Sequence, residues 1–218
     1  MGIEVKINKD DCRIFVVDDD LSVCKGLSRL LHSCGYVTET YTSAADYLKR
    51  QPFDGIACII LDVHMPQLNG MDLQQKLIAQ NNTLPIIFLT AHGDVPLAVD
   101  AMKQGADDFL TKPVDEKILL DAVEQALLRY RSVRSEQLIS RQAQERLDKL
   151  TPRELEVLQC ILGGATNKQI ADDLGIAEKT VKIHRGKVMQ KLYVSSAAEL
   201  GWVSSFSSIA ANKNHKAK

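Results

Sequence analysis

The chain is 218 residues long, 45% hydrophobic and 25% charged, a balance expected of a soluble globular protein and not of a disordered or fibrous one. Its length suits two domains of about 100 residues each. The longest apolar run, Ile56 to Leu61, is far short of the roughly 20 residues of a membrane span, and Met1 to Asn8 has no signal-peptide pattern, so no membrane partner and a cytoplasmic location are expected.

Five strands are predicted at Cys12–Val17, Tyr36–Thr40, Ile56–Leu61, Ile86–Leu89 and Asp108–Thr111. Between and after them, segments near 20–33, 43–50, 70–80, 95–104 and 115–128 show helical spacing. Five β/α repeats predict an α/β domain with a parallel sheet covered by helices on both faces. Runs such as Ala57-Cys58-Ile59-Ile60-Leu61 lack alternation, as strands buried on both faces do. From Leu119 to about Leu150 there is no Pro or Gly, and the last helix is read as running into a polar, partly helical linker. Thr151-Pro152 restarts the chain with a capping-box pattern that includes Glu154. Four short helices follow, near 152–163, 167–174, 178–191 and 196–206, giving an all-α second domain. The expected organisation is a domain at 1–128, a helical linker at 129–149, a helical domain at 150–210 and a disordered tail at 211–218.

The overall charge of −1 hides a division. Residues 1–128 carry 11 Lys and Arg against 19 Asp and Glu, whereas residues 150–218 carry 10 against 6. A polyanion such as DNA is therefore the natural partner of the rear half. The five cysteines are odd in number and form no CxxC pair, so reduced, buried thiols are expected, with no disulfide or structural zinc.

Ligands of an open parallel sheet bind beyond the carboxyl ends of its strands. The residues there are Asp18, Asp19 and Asp20 after strand 1, Asp62 after strand 3, Thr90 after strand 4 and Lys112-Pro113 after strand 5. Carboxylates converging on one rim repel one another unless a cation lies among them, and an all-oxygen set suits Mg²⁺. Asp62 is the candidate nucleophile for a phosphoryl group, with Asp18, Asp19, Asp62 and the His64 backbone carbonyl as metal ligands. Lys112 offers positive charge to phosphoryl oxygens, Thr90 offers a hydrogen bond, and Asp20 is read as a helix N-cap.

Val16-Val17-Asp18-Asp19-Asp20, Leu61-Asp62-Val63-His64-Met65-Pro66 with Gly70, Thr90-Ala91-His92-Gly93-Asp94-Val95-Pro96 and Phe109-Leu110-Thr111-Lys112-Pro113 together resemble the receiver domains of two-component response regulators, over about residues 12–128. The resemblance implies a flavodoxin-like doubly wound sheet of order 2-1-3-4-5. It also implies phosphoryl transfer from a sensor histidine kinase to Asp62 with Mg²⁺, inward movement of Thr90, and a turn of the switch aromatic Phe109 that changes the face formed by helix 4, strand 5 and helix 5. Val99 and Lys103 on that face are placed at a phosphorylation-dependent homodimer contact. Many members carry Arg where this chain has His64, so the lifetime of the phosphorylated state does not carry over; the His64 side chain is read as a solvated rim residue.

Leu150-Thr151-Pro152-Arg153-Glu154, Asn167 to Ile176 and Lys179 to Arg185 resemble the LuxR-type helix-turn-helix of the FixJ and NarL class, over about residues 148–206. On its second helix Val181, Val188 and Leu192 share one direction and are assigned to the core. Lys182 and Ile183 are assigned to base edges in a major groove, and Lys168, Lys179, Thr180 and Lys187 to phosphates. Arg185 is expected to pair with Glu154, and His184 to pack in the core. The segment Ala197 to Trp202 resembles a dimerisation helix of such domains. The leading expectation is a phosphorylation-switched transcriptional regulator that binds promoter DNA, with RNA polymerase as a further candidate partner. It is not expected to be an enzyme, beyond assisting its own phosphorylation and dephosphorylation. The alternatives are a metal-dependent phosphohydrolase, against which stands the absence of an acid at position 64, and a helical module for protein contacts rather than DNA.

Overall fold

The computed structural model describes residues 9–91, 93, 95–196, 199 and 200. The chain divides into two compact units, residues 1–133 and 134–218. In the first, strands β1 (Cys12–Val17), β2 (Val37–Tyr41), β3 (Ile56–Leu61), β4 (Ile86–Thr90) and β5 (Asp108–Thr111) form one parallel sheet in the order β2-β1-β3-β4-β5. Helices α1 (Leu21–Ser33), α2 (Ala44–Lys49), α3 (Gly70–Ala79), α4 (Val95–Lys103) and α5 (Glu116–Leu147) connect and follow them.

The unbroken apolar runs are explained by two cores, one on each face of the sheet. Ile14, Val16, Cys58, Ile60, Ile87 and Leu89 pack with Leu27 and Leu31 of α1 and with Leu119, Val123 and Leu127 of α5. The alternate residues Phe15, Val17, Ile59, Leu61 and Phe88 pack with Tyr47 of α2, Leu73 and Leu77 of α3 and Ala101 of α4. Successive strand side chains point to opposite faces, so a strand covered on both sides is apolar throughout. Edge strand β2 has no buried residue and is the most polar of the five.

In the second unit, α6 (Pro152–Leu162), α7 (Asn167–Leu174) and α8 (Glu178–Leu192) enclose a core of Val157, Leu158, Ile170, Val181, Val188 and Leu192. Thr151 and Glu154 form the expected capping box of α6, and Thr166 and Gln169 form another at α7. Gly175 closes α7 at φ 64°, a left-handed turn that costs glycine little and opens the sharp corner before α8.

The helical linker expected at 129–149 continues the last helix of the first unit: helical hydrogen bonding in α5 runs unbroken from Glu116 to Leu147. The second core also begins earlier than residue 150, because Ala143 and Leu147 of α5 are buried within it. The helix expected at 196–206, the dimerisation segment at Ala197 to Trp202 and the tail at 211–218 lie outside the described residues, apart from a few positions before Gly201. The five cysteines are free thiols, three buried and two half-buried. Among the described residues no helix is long and apolar enough to cross a membrane.

Candidate functional site

β1, β3 and β5 end side by side, and this brings Asp18, Asp62 and Lys112 together from positions far apart in the chain. Lys112 Nζ donates to Asp18 Oδ2 at 2.5 Å and to Asp62 Oδ1 at 2.7 Å. Both carboxylates are almost wholly buried, at 2% and 5% exposure, while Asp19 and Asp20 face solvent. Asp20 is the N-cap of α1, accepting from the Ser22 amide at 2.7 Å, and this hydrogen bond holds its carboxyl below the ordinary range. Burial pushes the Asp18 carboxyl up, against the hydrogen bond from Lys112. Burial also opposes the charge on Lys112, but its bonds to Asp18 and Asp62 outweigh that and hold its ammonium above the usual value.

Backbone contacts fix the Asp62 side. The Asp62 amide donates to Val17 O at 2.8 Å, and the His64 amide donates to Asp62 Oδ2 at 2.7 Å. Gly70 opens α3 directly beneath: a Cβ there would overlap the Asp62 carbonyl oxygen and approach Phe88 Cε1 to 3.1 Å. Glycine at this position is thus a condition for the close approach of α3 to the Asp62 backbone.

Thr90 is fully buried at the end of β4, with Oγ1 3.2 Å from His64 Nδ1. His64 is exposed, as a rim residue should be, but its ring bonds across to Thr90, a link that spans 26 residues and that no sequence pattern signals. Phe109 is half-buried, its ring 6.0 Å from that of Phe88, and it lines an apolar depression of about 440 Å³ with Val99, Met102 and Lys103. Val99 is 44% exposed.

Among the described residues no group of three or more His, Cys, Asp or Glu is gathered tightly enough to form a ready metal site. Of the residues expected to hold a metal, Asp18 and Asp62 converge, and both are engaged by Lys112. The donor chemistry fits a hard divalent cation, since two buried carboxylates converge at the rim, Asp19 follows directly after Asp18 in the chain, and the candidate donors are all oxygens.

On α8 the apolar stripe is buried as expected, with Val181, Val188 and Leu192 at 0% exposure. Lys168, Lys179, Lys182, Ile183 and Lys187 are exposed and Thr180 is half-buried. Ile183, at 52% exposure, is an apolar side chain on an otherwise polar face. Glu154 pairs with Lys191 at 2.6 Å, not with Arg185, because Lys191 lies one turn beyond Lys187 at the helix end that faces the capping box of α6. His184 is half-buried, not in the core, and its shielded Nδ1 has no hydrogen-bond partner among the described residues.

Comparison with known proteins agrees with both halves. The family described as response regulator receiver domain matches residues 14–124, and that described as bacterial regulatory proteins, luxR family, matches residues 148–203. Nodulation protein W of Bradyrhizobium diazoefficiens is 43% identical over 199 residues, 91% of this chain and 88% of its own length. The transcriptional regulatory protein FixJ of Azorhizobium caulinodans is 41% identical over 188 residues, 86% of this chain and 89% of its own. Among solved structures, the response regulator StyR superposes with a TM-score of 0.84 at 45% identity, covering 89% of this chain and 98% of StyR. Full-length FixJ from B. japonicum superposes with a TM-score of 0.56 at 34% identity, covering 89% of this chain and 96% of that one. The chain belongs to the two-component response regulators that join a receiver domain to a LuxR-type DNA-binding domain.

Proposed function

We propose that Asp62 is the phosphoacceptor, that its phosphorylation strengthens receiver self-association, and that the dimer binds promoter DNA through α8. The observation that carries the site assignment is Lys112 Nζ held between the buried carboxylates of Asp18 and Asp62. An Asp62 oxygen attacks the phosphorus of a sensor kinase's phosphohistidine; the new O–P bond forms as the N–P bond breaks and its electron pair returns to the imidazole. Lys112 then pairs with phosphoryl oxygens, and Thr90 donates to one of them. Asp18, Asp19, Asp62 and the His64 carbonyl are the residues that would hold Mg²⁺, which supplies neutralisation of the phosphoryl charge when bound.

The exposed apolar face at Val99, with Lys103 beside it, is the surface assigned to self-association. On α8, Lys182 and Ile183 reach base edges, where Ile183 suits the methyl group of a thymine, and Lys179, Thr180 and Lys187 of α8, with Lys168 of α7, hold phosphates. Such a protein works in the cytoplasm, and promoter binding brings RNA polymerase into reach as a further partner.

The test is labelling with radioactive acetyl phosphate and Mg²⁺, followed by footprinting on DNA fragments that the phosphorylated protein selects from a random pool. Wild type should take label and protect DNA more strongly when labelled, and Asp62→Asn should do neither. Label retained on Asp62→Asn refutes the site; protection indifferent to phosphorylation refutes the switch.

A further inference from the structure

A second cavity lies far from the phosphoacceptor pocket. It has a volume of about 330 Å³ and is walled by the end of α2, the segment leading into β3, the loop that runs from α3 into β4, and Tyr130 of α5. These are the amino ends of the strands, whereas Asp18, Asp62 and Lys112 lie at their carboxyl ends. The volume is within the range of small-ligand pockets, roughly 300–1,000 Å³. Its lining includes Tyr47, Phe53, Leu77 and Leu84, and Arg50 is the one charged residue among those that line it.

Arg50 is unusually placed for a surface arginine. Its guanidinium stacks over the rings of Phe15 and Tyr47, at 4.5 and 4.6 Å from their centroids. Nη1 donates to Gln51 O and Nη2 to Tyr47 Oη, each at 3.0 Å, while Nε is shielded from solvent and has no hydrogen-bond partner among the described residues. No ion pair to a carboxylate is found for Arg50 among the described residues, although Arg13, stacked on the nearby Phe53 ring, has Glu39. A guanidinium carries five N–H donors, so each Nη keeps one hydrogen uncommitted.

The facing wall is formed in advance. Leu77 is 3% exposed, Asn81 adopts a left-handed conformation at φ 55°, and the Leu84 amide donates to Asn82 Oδ1 at 3.0 Å. The carbonyls of Lys76, Leu77 and Ile78 at the end of α3 are taken by the amides of Gln80, Asn82 and Asn81. The helix end therefore presents little free negative charge to offset Arg50.

A half-buried, stacked cation with spare donors, in a preformed cavity that is lined by the uncharged polar side chains of Gln80, Asn81, Asn82 and Thr83 as well as by Phe53, Leu77 and Leu84, and that has no acid in its lining, is complementary to an anion with a small apolar body. We propose that this cavity binds a small organic carboxylate with a body of about one ring, its carboxylate on the Nη hydrogens of Arg50 and its ring against Phe53, Leu77 and Leu84. Planar pairing of guanidinium and carboxylate favours a carboxylate over a neutral amide of the same shape.

The test is calorimetric titration of the full chain with benzoate, benzamide, benzylamine and acetate as probes. Benzoate should bind with a Kd on the order of 1 mM, as expected for a ligand of its size. The other three should bind at least about tenfold more weakly, the amide and amine for want of the anion and acetate for want of the ring. Arg50→Met, which keeps the stem but not the charge, should abolish benzoate binding. Should that variant melt early by circular dichroism, Thr83→Trp gives an independent reading, since Thr83 is exposed and lines the cavity; it too should abolish binding by filling the space. Benzoate binding absent at about 10 mM, equalled by benzamide, benzylamine or acetate, or unchanged by Thr83→Trp overturns the proposal.

Discussion

Glu154→Gln tests how α8 is held for its task. The Glu154 side chain is 3% exposed; it accepts from Lys191 Nζ at 2.6 Å and from the Thr151 amide at 2.9 Å, and Lys191 also donates to Lys149 O at 3.0 Å. The hydrogen bond from Lys191, with that from the Thr151 backbone, holds the carboxyl at about 2, against an ordinary 4.5. At about 1.4 kcal/mol per pKa unit the shift corresponds to at most about 3.4 kcal/mol. Lys191 is one-third exposed, so solvent screening brings the expected contribution to about 2 kcal/mol. Because the folded-state pKa is the depressed one, this stability is complete above pH 4.5 and drains away as pH falls through about 2, with less than half left at pH 3. The glutamine amide keeps an acceptor for Thr151 but loses the charge. Urea unfolding of the full chain, followed by hydrogen exchange in α6 and α8, should show the variant weaker by about 2 kcal/mol at pH 7, with a gap that narrows towards pH 3. A variant equal to wild type at pH 7, or a deficit that does not shrink on acidification, refutes the reasoning.

Gly70→Ala should cost about 2 kcal/mol and slow labelling of Asp62 by acetyl phosphate, because the added methyl meets the Asp62 carbonyl; a neutral melting temperature with normal labelling contradicts this. Lys179→Ala should weaken binding to all DNA sequences alike and lower the slope of log K against log salt by about 1; loss confined to one operator position would instead mark Lys179 as a base reader. Val99→Asp should leave labelling intact and abolish the phosphorylation-dependent mass increase seen by analytical ultracentrifugation; an unchanged mass shift removes the α4 face from the dimer contact.

Features that repeat along the chain were legible before any coordinates. Strand positions, the two-faced core and the buried stripe Val181, Val188 and Leu192 follow from periodicity, and the meeting of Asp18, Asp62 and Lys112 follows from the rule that parallel strands end on one rim. Contacts that depend on where one side chain lands were not legible. Arg185 and Lys191 both lie on α8 within reach of the core edge, and only the seating of α6 selects Lys191 as the partner of Glu154. His64 and Thr90 meet because β3 and β4 are neighbours and β4 runs two residues beyond the pairing of Leu61 with Phe88, a matter of register that residue types do not encode. The helical character of 129–149 was legible from its lack of Pro and Gly, but its continuity with the preceding helix was not, because a polar stretch suited to helix reads equally as one rod or as a broken one.

On the proposed reading, the pocket is arranged so that a phosphoryl group must change partnerships already in place. Lys112 is shared between two buried carboxylates, and phosphorylation of Asp62 replaces one carboxylate with a group of about −2 charge that competes for the same ammonium. Thr90 stands beside His64 Nδ1, so a hydroxyl that donates to the ring must reorient or share its one hydrogen to take up a phosphoryl oxygen. Thr90 ends β4 directly beside β5, where Phe109 lies on one side of Phe88 and on the other lines the depression at Val99. A ligand shifts a conformational equilibrium only by binding its two states unequally, and these exchanged partnerships supply the inequality. On this reading the path from Asp62 to the exposed face of α4 consists of one ammonium, one hydroxyl and one ring, carried at the ends of the paired strands β4 and β5.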